Sequence, residues 1–289
     1  RIAADDAANP RTRDREYWAA KELTLKNAPA LPLRAPLKSV AHPRYRRLER
    51  RFDASTLASI RSNARLHNIT ASSVLLSVYA QILRRFSSGD SQDGFVVNVL
   101  LFNRPIDTDG DDGINDVIGD FTKLNLLQVE FDSADDDASF GRATERLQRA
   151  LWRDLAHKGV SGVDVLRNVA RQQGRLHEAL YPVIFTSMLD HFDSSCFDFI
   201  GKKVFALSQT SQSILDNQVS NDGDVLVVAW DYCDGIFSPG VIEEMFTLYC
   251  DGLVKVATTN DWYEGAISRH MSMSSSVTRL ALEANDTGD

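Results

Sequence analysis

Cysteine is scarce in this sequence, and nothing in its spacing puts it to work. Cys196, Cys233 and Cys250 are odd in number and form no CxxC pair. They fit a reducing compartment, and so a cytoplasmic protein, better than a disulfide framework. The six histidines are scattered, with no HxxxH or HExxH pair, which argues against a zinc site. Positive charge is in deficit. Lys and Arg number 32 against 40 Asp and Glu, a net charge of −8, and no basic stripe is interleaved with aromatics, so the chain does not read as a nucleic-acid binder. No apolar run is long enough to span a membrane, and the N-terminus lacks the pattern of a secretory signal. GxSxG, P-loop, GxGxxG and kinase signatures are also missing, which leaves hydrolase, NTPase and dinucleotide readings without a motif.

What remains is the balance of a soluble globular protein. Hydrophobic residues make up 43% of the 289 positions and charged residues 25%, enough for a sizeable core in one large domain or two small ones. The first residue is Arg1, as expected of a piece cut from a longer chain. Proline is concentrated: four of eight, Pro29, Pro32, Pro36 and Pro43, lie within residues 27–43. That density excludes a helix or central strand and predicts an extended strap. The segment RYRRLERR at 44–51 follows and reads as a solvated strand face, within an edge strand over 45–52.

Periodicity places the other elements. Asp53 caps a helix to about residue 67, with Leu57, Ile60 and Ala64 on one face, and Thr70 caps a second over 71–86. FVVNVLLF at 95–102 is nearly all apolar, as in a strand buried on both faces. An acidic loop, 107–116, invites comparison with the EF-hand. It fails, because Asp112 stands where glycine is required and Ile118 where the bidentate glutamate should be. A strand over 124–131 leads to a helix over 139–157 with Phe140, Ala143, Leu147, Leu151 and Leu155 on one side, then a helix over 161–173 stopped by Gly174. A buried strand over 225–230 and a helix over 239–257, striped by Ile242, Met245, Phe246 and Leu253, close the folded part. Beyond residue 258 the chain is polar and serine-rich, like an interdomain linker. The irregular order of helices and strands predicts an α/β sandwich with a mixed sheet.

Chemistry concentrates in residues 181–219. Two polar clusters, Phe185-Thr186-Ser187 and Ser208-Gln209-Thr210, end apolar runs, and Asp216 sits inside a third, ILDNQV. Asn103, Asp120, Thr122 and Gln218 are further polar residues at expected strand ends, where rigid scaffolds present reactive groups. A carboxylate flanked by Ile214, Leu215 and Val219 is either a desolvated acid/base or a brace that holds a loop through backbone N–H groups.

Together these motifs resemble the C-terminal lobe of heterocyclization (Cy) domains, specialised condensation domains of nonribosomal peptide synthetases. The matching pieces are Tyr17-Trp18 with Leu31-Pro32-Leu33, LFNRP at 101–105, GDFTKLNLL at 119–127, SGVDVLR at 161–167, PVIFTS at 182–187, SQTSQSILDNQ at 208–218 and Trp230-Asp231, in the family's order over residues 17–257. Two positions depart from the pattern: Ser211 replaces the family's proline and Asn217 its histidine. The family's DxxxxD motif lies in an N-terminal lobe ahead of the Tyr-Trp segment, and only 16 residues precede Tyr17.

The resemblance implies a chloramphenicol-acetyltransferase-like lobe. Residues 1–43 would form an N-terminal helix and a proline-rich interlobe strap, 44–260 the C-terminal lobe, and 261–289 a linker to a following domain. It implies condensation of a carrier-bound acyl or peptidyl thioester with carrier-bound Cys, Ser or Thr, then cyclodehydration to a thiazoline or oxazoline in siderophore or other natural-product biosynthesis. Asp216 and Thr186 are the implied catalytic pair, with Asn103, Gln209 and Ser187 positioning substrate. No cofactor is expected on the lobe itself, since phosphopantetheine arrives on partner carrier domains. The implied partners are upstream and downstream carriers, the N-terminal lobe and an adenylation domain, and the lobe is expected to be monomeric and inactive in isolation. An ordinary condensation or epimerisation lobe, or a non-catalytic lobe that docks carriers, are the alternatives.

Overall fold

A computed structural model describes residues 10–102, 122–132, 139–189, 201, 204–210 and 212–263. The expected 107–116 loop, the start of GDFT, Asn103, Ser211 and Cys196 lie outside them. In chain order the elements are α1 (Pro10–Glu22), β1 (Tyr45–Arg51), α2 (Ala54–Leu66), α3 (Ala71–Arg85), β2 (Gly94–Phe102), β3 (Thr122–Glu130), α4 (Phe140–Leu155), α5 (Gly162–Gln172), β4 (Val183–Ser187), β5 (Leu215–Asp222), β6 (Val225–Cys233) and α6 (Val241–Thr258). Among the described residues the strands form one mixed sheet in the order β1-β6-β5-β4-β2-β3. The β2/β4 and β4/β5 pairs are parallel, and the other three are antiparallel. The fold is the α/β sandwich that the pattern of elements predicts.

Local chemistry sets the element boundaries. The Thr70 hydroxyl accepts from the Ser73 amide at 3.2 Å, Ser139 from Arg142 at 3.3 Å and Ser161 from Val163 at 3.2 Å, each satisfying an otherwise unpaired N–H of a first helical turn. Asp53 occupies the corresponding position of α2, but its side chain makes no capping bond. Gly174 follows α5 at φ 68°, a left-handed conformation that costs glycine little.

The sheet buries both faces at one end and is asymmetric at the other. α2, α3, α4 and α6 cover one face with the main core, which includes Tyr79, Phe95, Phe140, Phe185, Leu215, Val219, Trp230, Met245 and Tyr249. α1 and α5 cover the opposite face at the β2/β3 end, where Trp18, Val96, Leu126, Val165 and Val169 form a second cluster. α5 approaches β3 so closely that a Cβ at Gly162 would lie 1.9 Å from the Leu124 carbonyl oxygen. That contact explains why glycine opens this helix.

Two expectations need correction. On α4 the buried stripe is Phe140, Thr144, Leu147, Gln148, Leu151 and Asp154, while Leu155 is exposed. A carboxylate holds the core position because it is paired: Asp154 accepts from Tyr17 Oη at 2.6 Å, Asn125 Nδ2 at 3.1 Å and Lys21 Nζ at 2.5 and 2.6 Å. The segment RYRRLERR is an edge strand, paired only with β6 among the described strands, but it is not uniformly solvated. Arg47 keeps only 9% of its side chain exposed. The proline-rich segment runs as an extended strap, with one 3₁₀ turn at Leu37–Ser39 and a single bridge from Leu33 to Phe237. After α6 the chain places Trp262 in the core at 1% exposure. Cys233 and Cys250 are buried free thiols. No single helix among the described residues is long and apolar enough to cross a membrane.

Candidate active site

Successive residues of a strand point to opposite faces of the sheet. Leu215 and Val219 of β5, Phe185 of β4 and Trp230 of β6 belong to the main core, so Asp216, Gln218, Thr186 and Asp231 project from the other face. Register then aligns them. Arg47 pairs with Asp231, Asp231 with Asp216, and Asp216 with Ile184, one row across four strands. Thr186 and Gln218 stand opposite each other one step along the same face.

At the centre lies a buried carboxylate with both oxygens engaged. Thr186 Oγ1 donates to Asp216 Oδ1 at 3.1 Å, and Gln218 Nε2 donates to Oδ2 at 2.8 Å. Asp216 is 4% exposed and Thr186 6%. The same Gln218 amide nitrogen donates to Asp231 Oδ2 at 3.1 Å, so one NH2 group bridges two carboxyls. Asp231 is gripped from the edge strand by Arg47, whose Nε and Nη2 reach its two oxygens at 2.7 and 2.6 Å. The Ser208 amide adds a third donor to Asp231, at 2.6 Å.

Burial raises the pKa of Asp216 above the ordinary carboxylate value, because removing a charge from water is costly. The Gln218 and Thr186 hydrogen bonds oppose that rise. Nearby Asp231 adds to it, and Arg47 works against it. A buried carboxyl pulled both ways in this manner is suited to give up and take back a proton.

A consequence for stability follows from the sign. The folded-state pKa of Asp216 lies above its unfolded value of 3.8, so the contribution it makes to stability is full below that value and is lost as pH rises through the folded pKa. Asp216→Asn, which mimics the neutral acid, is therefore expected to raise the melting temperature at neutral pH. The gain should disappear in acid below the ordinary carboxylate range. Thermal melts at several pH values check this, and a gain that grew as pH fell would contradict it.

Of the five expected site residues, the structure brings Thr186 and Asp216 together. Ser187 points away, to the N-terminus of α3, where its Oγ lies 2.8 Å from Ser72 Oγ. Gln209 is exposed, and Asn103 lies outside the described residues. Sequence reasoning assigned no role to Arg47 or Asp231. Their signal was an aspartate set between Trp230 and Tyr232 in an otherwise apolar strand. Asn217 faces the main core, fully buried, in register with Trp230 and Phe185.

The profile of the family described as Condensation domain matches residues 4–263. The chain belongs to the condensation-domain family. This condensation domain is 36% identical over 255 residues to bacitracin synthase 1 of Bacillus licheniformis, across 86% of the chain and 5% of that protein. It is 34% identical over 280 residues to the phenyloxazoline synthase MbtB of Mycobacterium tuberculosis, across 94% of the chain and 19% of that protein. Among solved structures, the EpoB cyclization-docking bidomain of a nonribosomal peptide synthetase from Sorangium cellulosum superposes with a TM-score of 0.78 at 28% identity, covering 88% of this chain and 50% of that one. The condensation domain thus spans a small part of its curated relatives and half of its structural neighbour.

Proposed function

We propose that this chain is the C-terminal lobe of a heterocyclization domain, in which Asp216 moves the protons of cyclodehydration and Thr186 holds it in place. The observation that carries the reading is a buried carboxylate with one oxygen on a threonine hydroxyl and the other on an amide N–H. The names of two similar proteins, a phenyloxazoline synthase and a cyclization bidomain, support it.

The substrates are thioesters on the phosphopantetheine arms of two carrier domains. The amine of carrier-bound cysteine, serine or threonine attacks the upstream thioester carbonyl, forming an amide and releasing the upstream thiol. The side-chain thiol or hydroxyl then adds to the new amide carbonyl, giving a tetrahedral carbon that bears a hydroxyl. For the ring to become a thiazoline or oxazoline, the C–O bond breaks, a C=N bond forms, and the nitrogen loses its proton. Asp216 in its acid form protonates the departing hydroxyl, and its carboxylate takes the proton from nitrogen, so the group ends as it began. The Thr186 O–H, donating to Oδ1, limits the carboxyl to one rotamer. The N-terminal lobe, the carriers and an adenylation domain complete the proposed assembly.

Reconstitution tests the reading. The intact synthetase should be supplied with a donor-loaded carrier and with carriers loaded in turn with cysteine, serine or threonine. Mass spectrometry of the released product is expected to show a heterocycle lighter by one water than the linear amide. Linear amide alone from every acceptor would overturn heterocyclization in favour of ordinary condensation.

A further inference from the structure

The Asp216 oxygen that does not face Thr186 is held by an amide, and an amide can present either of its ends. We propose that Arg47 and Asp231 are positioning residues for Asp216, acting through Gln218: the arginine fixes which end of the Gln218 amide faces the catalytic carboxyl. This inference rests on the heterocyclization reading of the site.

The geometry is specific. Arg47 Nη2 donates to Gln218 Oε1 at 2.9 Å and to Asp231 Oδ2 at 2.6 Å, and its Nε donates to Asp231 Oδ1 at 2.7 Å. The carbonyl end of Gln218 is thereby committed to the guanidinium. Its NH2 end must then point to the two carboxyls, reaching Asp216 at 2.8 Å and Asp231 at 3.1 Å. Arginine has donors only, so it cannot satisfy the opposite orientation. Without it, the Gln218 amide is free to turn its carbonyl toward Asp216. A carbonyl there would bind only the protonated acid, and Asp216 would lose the ability to cycle between its two forms. The fork also needs its place on β1: Arg47 lies directly across from Asp231 in the register, and a lysine there could neutralise charge but not span both groups.

The groups that bear on Asp216 come from each surrounding element. They are Thr186 on β4, Gln218 on β5 itself, Asp231 on β6, Arg47 on β1, and Tyr79 of α3 on the far side of the sheet. Removing Arg47 leaves Asp231 without its cation, and the uncompensated negative charge beside Asp216 favours the protonated form.

The test is made in the intact synthetase, with the ratio of heterocycle to linear amide measured against pH. Arg47→Met is expected to lower that ratio by about 10- to 100-fold and to move the limb that titrates Asp216 to higher pH. Arg47→Lys should return the limb toward its original position while restoring the ratio only in part. Because Arg47→Met strands a buried carboxylate and risks misfolding, the double variant Arg47→Met/Asp231→Asn is made alongside it. The double variant removes both charges, a change that buried pairs often tolerate. It should show a limb displaced less than in Arg47→Met, because the neighbouring negative charge is gone, with the ratio still low, since Arg47 no longer holds the Gln218 carbonyl. A wild-type ratio in the double variant, or an unshifted limb with a wild-type ratio in a folded Arg47→Met, would overturn the proposal. If the unsubstituted synthetase makes no heterocycle at all, the reading of the site fails first. If heterocycle is lost in Asp216→Asn but untouched in the Arg47 variants, only the positioning role fails.

Discussion

With asparagine in place of Asp216, the ratio of heterocycle to uncyclised amide is expected to fall by about 10²- to 10⁴-fold, the usual contribution of a positioned acid/base. Asparagine preserves the volume and can still accept the Thr186 hydroxyl but not also the Gln218 N–H, so the loss combines the missing proton transfer with one hydrogen bond. Peptide-bond formation uses a nucleophilic amine and a good thiolate leaving group, whereas expelling hydroxide from a tetrahedral carbon needs a proton delivered to it. Uncyclised amide should therefore accumulate. Thr186→Val, which keeps the branched shape and removes the O–H, should have a smaller effect of about tenfold, in line with one lost hydrogen bond at a buried oxygen. Single-turnover assays that resolve linear and cyclised products by mass measure both. An unchanged product ratio in Asp216→Asn would remove the carboxyl from the chemistry and leave it a structural brace. The stability gain predicted for the same variant at neutral pH separates these cases further, because a site burdened by a buried charge gives up stability for function.

The second large effect lies away from the site. Asp154→Ala is expected to cost about 3–5 kcal/mol of folding stability, the range for removing one partner of a buried ion pair. Asp154 has 1% of its side chain exposed and Lys21 15%, so the loss of the carboxylate strands an ammonium that cannot fully return to water. Tyr17 Oη and Asn125 Nδ2 lose their acceptor at the same time. Burial already lowers the pKa of Lys21, and Asp154 is the main influence opposing that shift. The network ties α1 to α4 and β3, reinforced by Trp18 Nε1 donating to the His157 carbonyl at 2.9 Å and by the Gly159 amide donating to Asp14 Oδ2 at 2.8 Å. The paired change Lys21→Met/Asp154→Leu should recover most of the loss, since no uncompensated charge remains. Urea denaturation of the three proteins supplies the comparison. A cost below about 1 kcal/mol for Asp154→Ala would assign the pair to the solvated class.

Much of the architecture was legible from pattern. FVVNVLLF is a central strand because all of it but Asn98 is apolar, and the stripe from Ile242 to Leu253 is a helix facing the core because apolar residues recur with each turn. Thr70, Ser139 and Ser161 marked helix starts through short-range hydrogen bonds, which a local reading captures. The misplaced stripe of α4 shows the limit of that reading. Leu155 fits the apolar period better than Asp154, and only Lys21, Tyr17 and Asn125, which come from distant parts of the chain, reverse the preference.

The site divides in the same way. By itself the sequence determined the elements, the α/β class and the oddity of a carboxylate between Leu215 and Asn217, because each depends on neighbours a few residues apart. It could also join Thr186 to Asp216 through resemblance, although they lie thirty positions apart and residue patterns do not contain the register that brings them together. Only the tertiary structure decided what surrounds Asp216. β1 and β6 are separated by most of the chain and become neighbours through a sheet order that no local propensity encodes. Their pairing in one register rather than the next puts Arg47 opposite Asp231, and a slip of β1 by one residue would turn Arg47 to the other face. The surroundings of the carboxyl are thus set by long-range register, and the carboxyl itself by the sequence.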